Sequence, residues 1–189
     1  VGVACTLAFQ YVERYPHYPI AVRAGCVAWR MVSFDPGWTW TYLSMMGLVG
    51  LAWLFLPTSR EAWRFAGYFL GMAMLGWLIF YFFPTETARP RLPSAPWIYR
   101  VLVSIDLPTN GFPCLHSSFS ILAGTALAIE NRVLASVAGR LALLAWISAI
   151  TISVIALRQH TGADVVAGSI IGFAVAWAYA LRAPGRTRT

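Results

Sequence analysis

The chain has 189 residues, is 59% hydrophobic and only 11% charged, and holds 9 Trp, 11 Phe and 8 Tyr. Soluble domains carry about a quarter charged residues, so lipid is the expected solvent for most of this surface. The formal charge of +7 comes from arginine alone; the arginines stand singly or in pairs at the ends of apolar segments, as membrane flanks do, without the basic run that nucleic acid would need.

Apolar runs of about 20 residues are the natural unit, because that length crosses a bilayer as a helix. The chain opens without Met, and Val1–Tyr11 reads as the remainder of a first span, incomplete at its N-terminus. The next stretch, "YPIAVRAGCVAWRMVSF", places Arg23 and Arg30 seven apart on one helical face. It suits a helix lying in the interface or a re-entrant segment. Clear spans follow at Trp38–Leu56 and Ala62–Phe83, with aromatic residues gathered at their ends. Residues 84–115 contain Pro84, Pro90, Pro93, Pro96, Pro108 and Pro113, which excludes a spanning helix and marks a functional loop. A shorter apolar run covers His116–Glu130, and two further spans cover Leu141–Leu157 and Asp164–Leu181. Gly67/Gly71 and Gly168/Gly172 form GxxxG pairs, read as close helix packing. The expected architecture is all-α: residues 1–189 as a single domain, an integral membrane bundle of six transmembrane helices with a Pro-rich active-site loop.

His116 and His160 are 44 residues apart, about what two crossings and the turn "NRVLASVAGR" require, so both histidines emerge at one membrane face. Asp164 follows His160 by four and shares its helical face. A carboxylate there accepts the proton of one imidazole nitrogen and leaves the other free as nucleophile or base. The Pro-rich loop joins the same face with Arg89, Arg91 and Arg100, and Arg158 lies two residues before His160. Ser117 and Ser118 stand beside His116 at a helix start, where free backbone N–H groups favour phosphate. Two imidazoles, an orienting carboxylate and several guanidiniums suit a phosphate dianion.

"FPCLHSS" together with "RQHTGADVVAG" resembles the type 2 phosphatidic acid phosphatase superfamily of membrane lipid phosphatases and phosphotransferases. Three signatures carry the resemblance, in order and spacing, from about the second span to the end. In Lys-x6-Arg-Pro, Arg89 and Pro90 match while Phe82 stands at the lysine. In Pro-Ser-x-His, Pro113 and His116 match while Cys114 stands at the serine. In Ser-Arg-x5-His-x3-Asp, Ser153, His160 and Asp164 match while Val154 stands at the arginine. The resemblance implies a six-helix bundle in which His160 attacks phosphorus and forms a phosphohistidine, His116 protonates the leaving alkoxide, and Asp164 holds His160. Arg158 and Arg91 are the expected substitutes for the two missing cations. "ALRQH" is similar to the branch that includes inositol phosphorylceramide synthases, which move a phospho-head group onto a lipid alcohol.

The expected activity is hydrolysis of a lipid-linked phosphate or pyrophosphate without cofactor. Head-group transfer to a lipid alcohol acceptor is the alternative, and a non-catalytic membrane protein the second. A zinc site from His116, His160 and Asp164 is chemically conceivable, but neighbouring arginines would repel the cation, and no metal is expected. With a cytoplasmic amino terminus, seven arginines fall on each side. Removing Arg89, Arg91 and Arg158, claimed by the site, leaves seven inside against four outside. The active site is therefore expected on the extracytoplasmic face, in the plasma (inner) membrane.

Overall fold

The computed structural model describes residues 7–183, apart from 8, 9, 13, 16, 24–26, 91, 93 and 132. Most of the expected first span at Val1–Tyr11, together with Arg91, lies outside the described residues. In chain order the elements are β1 (Ala21–Arg23), α1 (Val27–Met31), a 3-10 turn (Pro36–Trp38), α2 (Thr39–Leu54), α3 (Ser59–Phe82), β2 (Thr85–Thr87), α4 (Trp97–Ile105), α5 (Leu115–Glu130), α6 (Val137–Ala156) and α7 (Gly162–Leu181). The helices match the apolar runs closely. The all-α expectation misses one feature, a two-stranded parallel sheet that pairs Ala21 with Thr85 and Arg23 with Thr87. Where the sequence suits an interfacial helix or a re-entrant segment across Arg23 and Arg30, the structure has a strand and the short helix α1.

Local chemistry sets the helix ends. The Thr58 side chain accepts from the Glu61 N–H to open α3, with Glu61 in the favourable first turn. The Ser136 side chain accepts from the Gly139 N–H to open α6. At the far end of α6 the Arg158 N–H donates to the Ile155 carbonyl and the Gln159 N–H to the Val154 carbonyl. That is the Schellman closure, and it places Arg158 in the left-handed region with φ 58°.

Among the described residues, three helices, α3, α6 and α7, are long and apolar enough to cross a membrane. Helices α2 and α5 have 16 residues each, a rise of about 24 Å against a hydrocarbon core of about 30 Å. Val166, Ile170, Phe173, Trp177 and Leu181 form an exposed apolar stripe along α7, a face that water would not tolerate but lipid would.

Helix α5 sits at the centre, against α7, α2 and α6. Its buried Ile121, Leu122, Ala126 and Leu127 join Leu48, Phe65, Met72 and Ile150 in the main core. The seam with α7 is the tightest. A Cβ on Gly168 would stand 2.1 Å from the Cys114 carbonyl oxygen, and one on Gly172 would stand 2.9 Å from Ser118 Cα. The Ser118 hydroxyl donates to the Gly168 carbonyl at 2.7 Å. This GxxxG pair is a packing motif, as expected. Gly67 and Gly71 are not, since a Cβ there would meet nothing within 4 Å. At the opposite end of the bundle from the histidines, Arg64 of α3 pairs with Glu130 of α5. The Tyr179 hydroxyl donates to Glu130 at 3.2 Å and accepts from Arg64 at 3.3 Å, tying α7 into the same knot.

Candidate active site

The seam brings the two histidines together. His116 occupies the first turn of α5 and His160 the turn between α6 and α7. The Cys114 N–H donates to the Asp164 carbonyl at 2.9 Å, which locks the start of α5 to the start of α7. His160 Nε2 and His116 Nδ1 face each other at 3.4 Å. They line a cavity of about 30 Å³ shared with Phe80, Arg89, Asp106, Asn110 and Leu115. That volume holds a water or two rather than a phosphoryl group.

His160 Nδ1 donates to the Gly111 carbonyl oxygen at 2.7 Å. A carbonyl can only accept, so Nδ1 carries the proton and Nε2 presents its lone pair to the cavity. The expected orienting group was Asp164, and here the structure differs. The Asp164 carboxylate accepts from the Thr161 N–H at 2.7 Å and the Thr161 hydroxyl at 2.8 Å, forming the capping box that opens α7. A carboxylate three residues into a helix is ideally placed for that cap. The proton expected on Asp164 goes to a loop carbonyl instead.

Arg89 reaches the cavity from the Pro-rich loop. Its guanidinium donates to the Asp106 carbonyl and lies 3.9 Å from the Asp106 carboxylate. Arg89 Nε and Asn110 Nδ2 are buried and, among the described residues, have no hydrogen-bond partner. Two buried donors left open in one cavity are costly unless an acceptor fills them. Asp106 also accepts from the Tyr42 hydroxyl at 2.7 Å, and the Tyr42 ring packs on His116 with centroids 4.3 Å apart.

Other expected site residues fall elsewhere. Arg158 does not line the cavity. Its left-handed backbone turns the guanidinium onto the Trp29 carbonyl at 3.0 Å and over the Trp29 ring, while Trp29 Nε1 donates to the His160 carbonyl. Arg100 lies on the exposed side of α4, whose buried face carries Tyr99 and Leu102. The Ser117 hydroxyl is buried and points at Cys114 Sγ, 3.5 Å away. Pro90 offers its carbonyl to the Tyr99 hydroxyl at 3.0 Å, and Pro113 follows Phe112 through a cis peptide. Val154 is buried in the apolar cluster beneath the site with Tyr99 and Leu157, and Phe82 is exposed. Among the described residues, Arg89 is the one cation lining the cavity.

Cys114 is fully buried. The Ser117 hydroxyl and the His160 ring lie beside its sulfur.

Asp106, Asn110, Gly111 and Tyr42 were not anticipated. "DLPTNGF" did carry a signal, because an Asp and an Asn-Gly turn sit within an otherwise apolar approach to His116.

Fold and site together define a helical membrane protein whose cavity opposes two imidazoles beside a guanidinium. The PAP2 superfamily model matches residues 65–188, and the chain belongs to that superfamily. Membership points to phosphatase or phosphotransferase chemistry. No curated protein and no solved structure matches the chain.

Proposed function

We propose that this protein hydrolyses a lipid-linked phosphate or pyrophosphate through a phosphohistidine on His160, without a metal cofactor. The observation that carries the reading is the 3.4 Å opposition of His160 Nε2 and His116 Nδ1 beside two open donors, Arg89 Nε and Asn110 Nδ2. His160 Nε2 attacks phosphorus and a P–N bond forms as the P–O bond to the lipid breaks. His116 delivers its proton to the departing oxygen. Arg89 and Asn110 hold the non-bridging oxygens where charge accumulates. Water, deprotonated by His116, then attacks the phosphohistidine, and phosphate leaves with His160 restored. Asp164 keeps His160 in place through the α7 cap. Arg91 extends the cationic surround, Arg158 braces the turn of His160 through Trp29, and Pro90 and Pro113 shape the loop. Helices α2 and α5 and an N-terminal segment complete six spans, with the site on the extracytoplasmic face of the plasma (inner) membrane.

One observation favours a second reading. With Val154 and Phe82 in place of two cations, the single guanidinium lining the cavity among the described residues balances the one charge of a phosphodiester better than the two of a monoester. A diester is the donor in head-group transfer to a lipid alcohol, the reaction of the inositol phosphorylceramide synthase-like branch. The test is a panel of radiolabelled lipid monoesters, pyrophosphates and diesters, with and without lipid alcohol, in the presence of EDTA. Free phosphate without acceptor supports hydrolysis. A new phospholipid formed only with acceptor transfers the assignment to the second reading. Activity lost in EDTA and restored by added divalent metal overturns metal independence.

A further inference from the structure

Cys114 stands where the family signature has serine, and it sets a sulfur beside the two imidazoles. A Cys114 sulfur, a His116 nitrogen and a His160 nitrogen all lie within 4.8 Å of one another. Tetrahedral zinc with bonds of about 2.0–2.3 Å spaces its ligand atoms about 3.3–3.6 Å apart. The edge between the two imidazoles, at 3.4 Å, is already at that length. The sulfur has to close by at most about 1.2 Å, within reach of a rotation about its side-chain bond.

Three further features fit a metal. The Nδ1–H of His160 is held by the Gly111 carbonyl, the outer partner that metal-binding histidines ordinarily have, and it leaves Nε2 as the ligand. One thiolate and two imidazoles are the donor set that soft and borderline cations select. Repulsion from Arg89 is offset by Asp106, whose carbonyl and carboxylate both face that guanidinium. Asp164, which the sequence paired with the two histidines, is committed to the α7 cap, and the thiol takes its place.

We propose that Cys114, His116 and His160 form a three-ligand site for a divalent zinc-like cation, and that the bound ion shuts the enzyme down by occupying its nucleophile. Binding forms one metal–sulfur and two metal–nitrogen bonds. The thiol proton passes to solvent, and both imidazoles bind through lone pairs once the remaining His116 proton moves to Nε2. The cation is an inhibitor rather than a cofactor, because His160 cannot hold a metal and a phosphoryl group on the same nitrogen. The site rests on geometry alone, whereas the inhibition rests on the role proposed above for His160.

The experiment uses the purified full chain in detergent, carrying Cys5→Ala and Cys26→Ala so that Cys114 is its single thiol. Cobalt(II) is titrated alone and then displaced with zinc. The expected result is one cobalt per chain with a sulfur-to-metal charge-transfer band in the near ultraviolet. Zinc should bleach that band and raise the unfolding temperature. Cys114→Ser should remove the band and weaken binding by at least about tenfold, and His160→Ala should weaken it comparably. The unfolding temperatures of both metal-free variants check that they fold. No band in the parent, or an unchanged band in Cys114→Ser, overturns the site. Turnover of a lipid phosphate should fall with zinc and return with chelator in the parent, and resist zinc in Cys114→Ser. Stoichiometric binding with undiminished turnover would keep the site and overturn its inhibitory role.

Discussion

The carbonyl oxygen of Gly111 and Nδ1 of His160 stand 2.7 Å apart, linking the end of the Pro-rich loop to the turn before α7. The loop reaches that point because Gly111 has no side chain. A Cβ there would meet Thr85 Oγ1 at 2.8 Å and both the Thr85 carbonyl and Thr87 Oγ1 at 3.1 Å. Gly111→Ala should push the loop off β2 and loosen the imidazole. We expect kcat to fall by about 10- to 100-fold with KM little changed. Steady-state kinetics on a lipid phosphate checks this, and an unaltered kcat would remove Gly111 as the group that orients His160.

The two histidines should divide the labour. His160→Ala should abolish turnover and any acid-labile phosphoenzyme. His116→Ala should be nearly inactive on natural lipids yet keep a first burst with a nitrophenyl phosphate ester, whose leaving group needs no proton. Rapid-quench trapping of radiolabelled enzyme separates them. Phosphoenzyme formed by His160→Ala but not by His116→Ala would exchange the two roles.

The two GxxxG pairs should respond in opposite directions. Gly168→Ala sets a methyl group against the Cys114 backbone, which no rotamer change can relieve, so a loss of about 1–3 kcal/mol or more is expected. Gly67→Ala enters open space and should be neutral or gain up to about 1 kcal/mol from helix propensity. Thermal unfolding in the same detergent compares them directly, and equal effects would contradict the seam between α5 and α7.

Ser94 is exposed in the Pro-rich loop. A cysteine placed there, with the native cysteines replaced, should react with a membrane-impermeant maleimide on intact cells. Labelling that waits for lysis would put the site on the cytoplasmic side.

Much of this arrangement is written in the chain. Helices α2, α3, α5, α6 and α7 follow apolar runs bounded by Thr58, Ser136, Thr161 and the Pro-rich loop, because hydrophobic length and capping chemistry are local properties. The meeting of His116 and His160 follows from counting residues per crossing. Their partners do not. Gly111, Asn110 and Asp106 reach the cavity through loop geometry, which has no period to read. Asp164 could orient an imidazole or cap a helix from the same position, and spacing alone cannot choose between them. Arg158 is a related case. Its guanidinium direction is set by a left-handed backbone at the end of α6, a conformation that non-glycine residues rarely adopt and that the sequence does not announce.

The knot of Arg64, Glu130 and Tyr179 gives α3 a fixed end. From Arg64 to Phe82 the helix rises about 27 Å, and its far end leads into β2 and the loop that carries Arg89. A tilt of about 5° about the knot would carry that end about 2.4 Å at constant helix geometry. Helices α5 and α7, sutured at Gly168 and Gly172, would hold the two imidazoles still during such a tilt, so the loop would shift without disturbing their alignment.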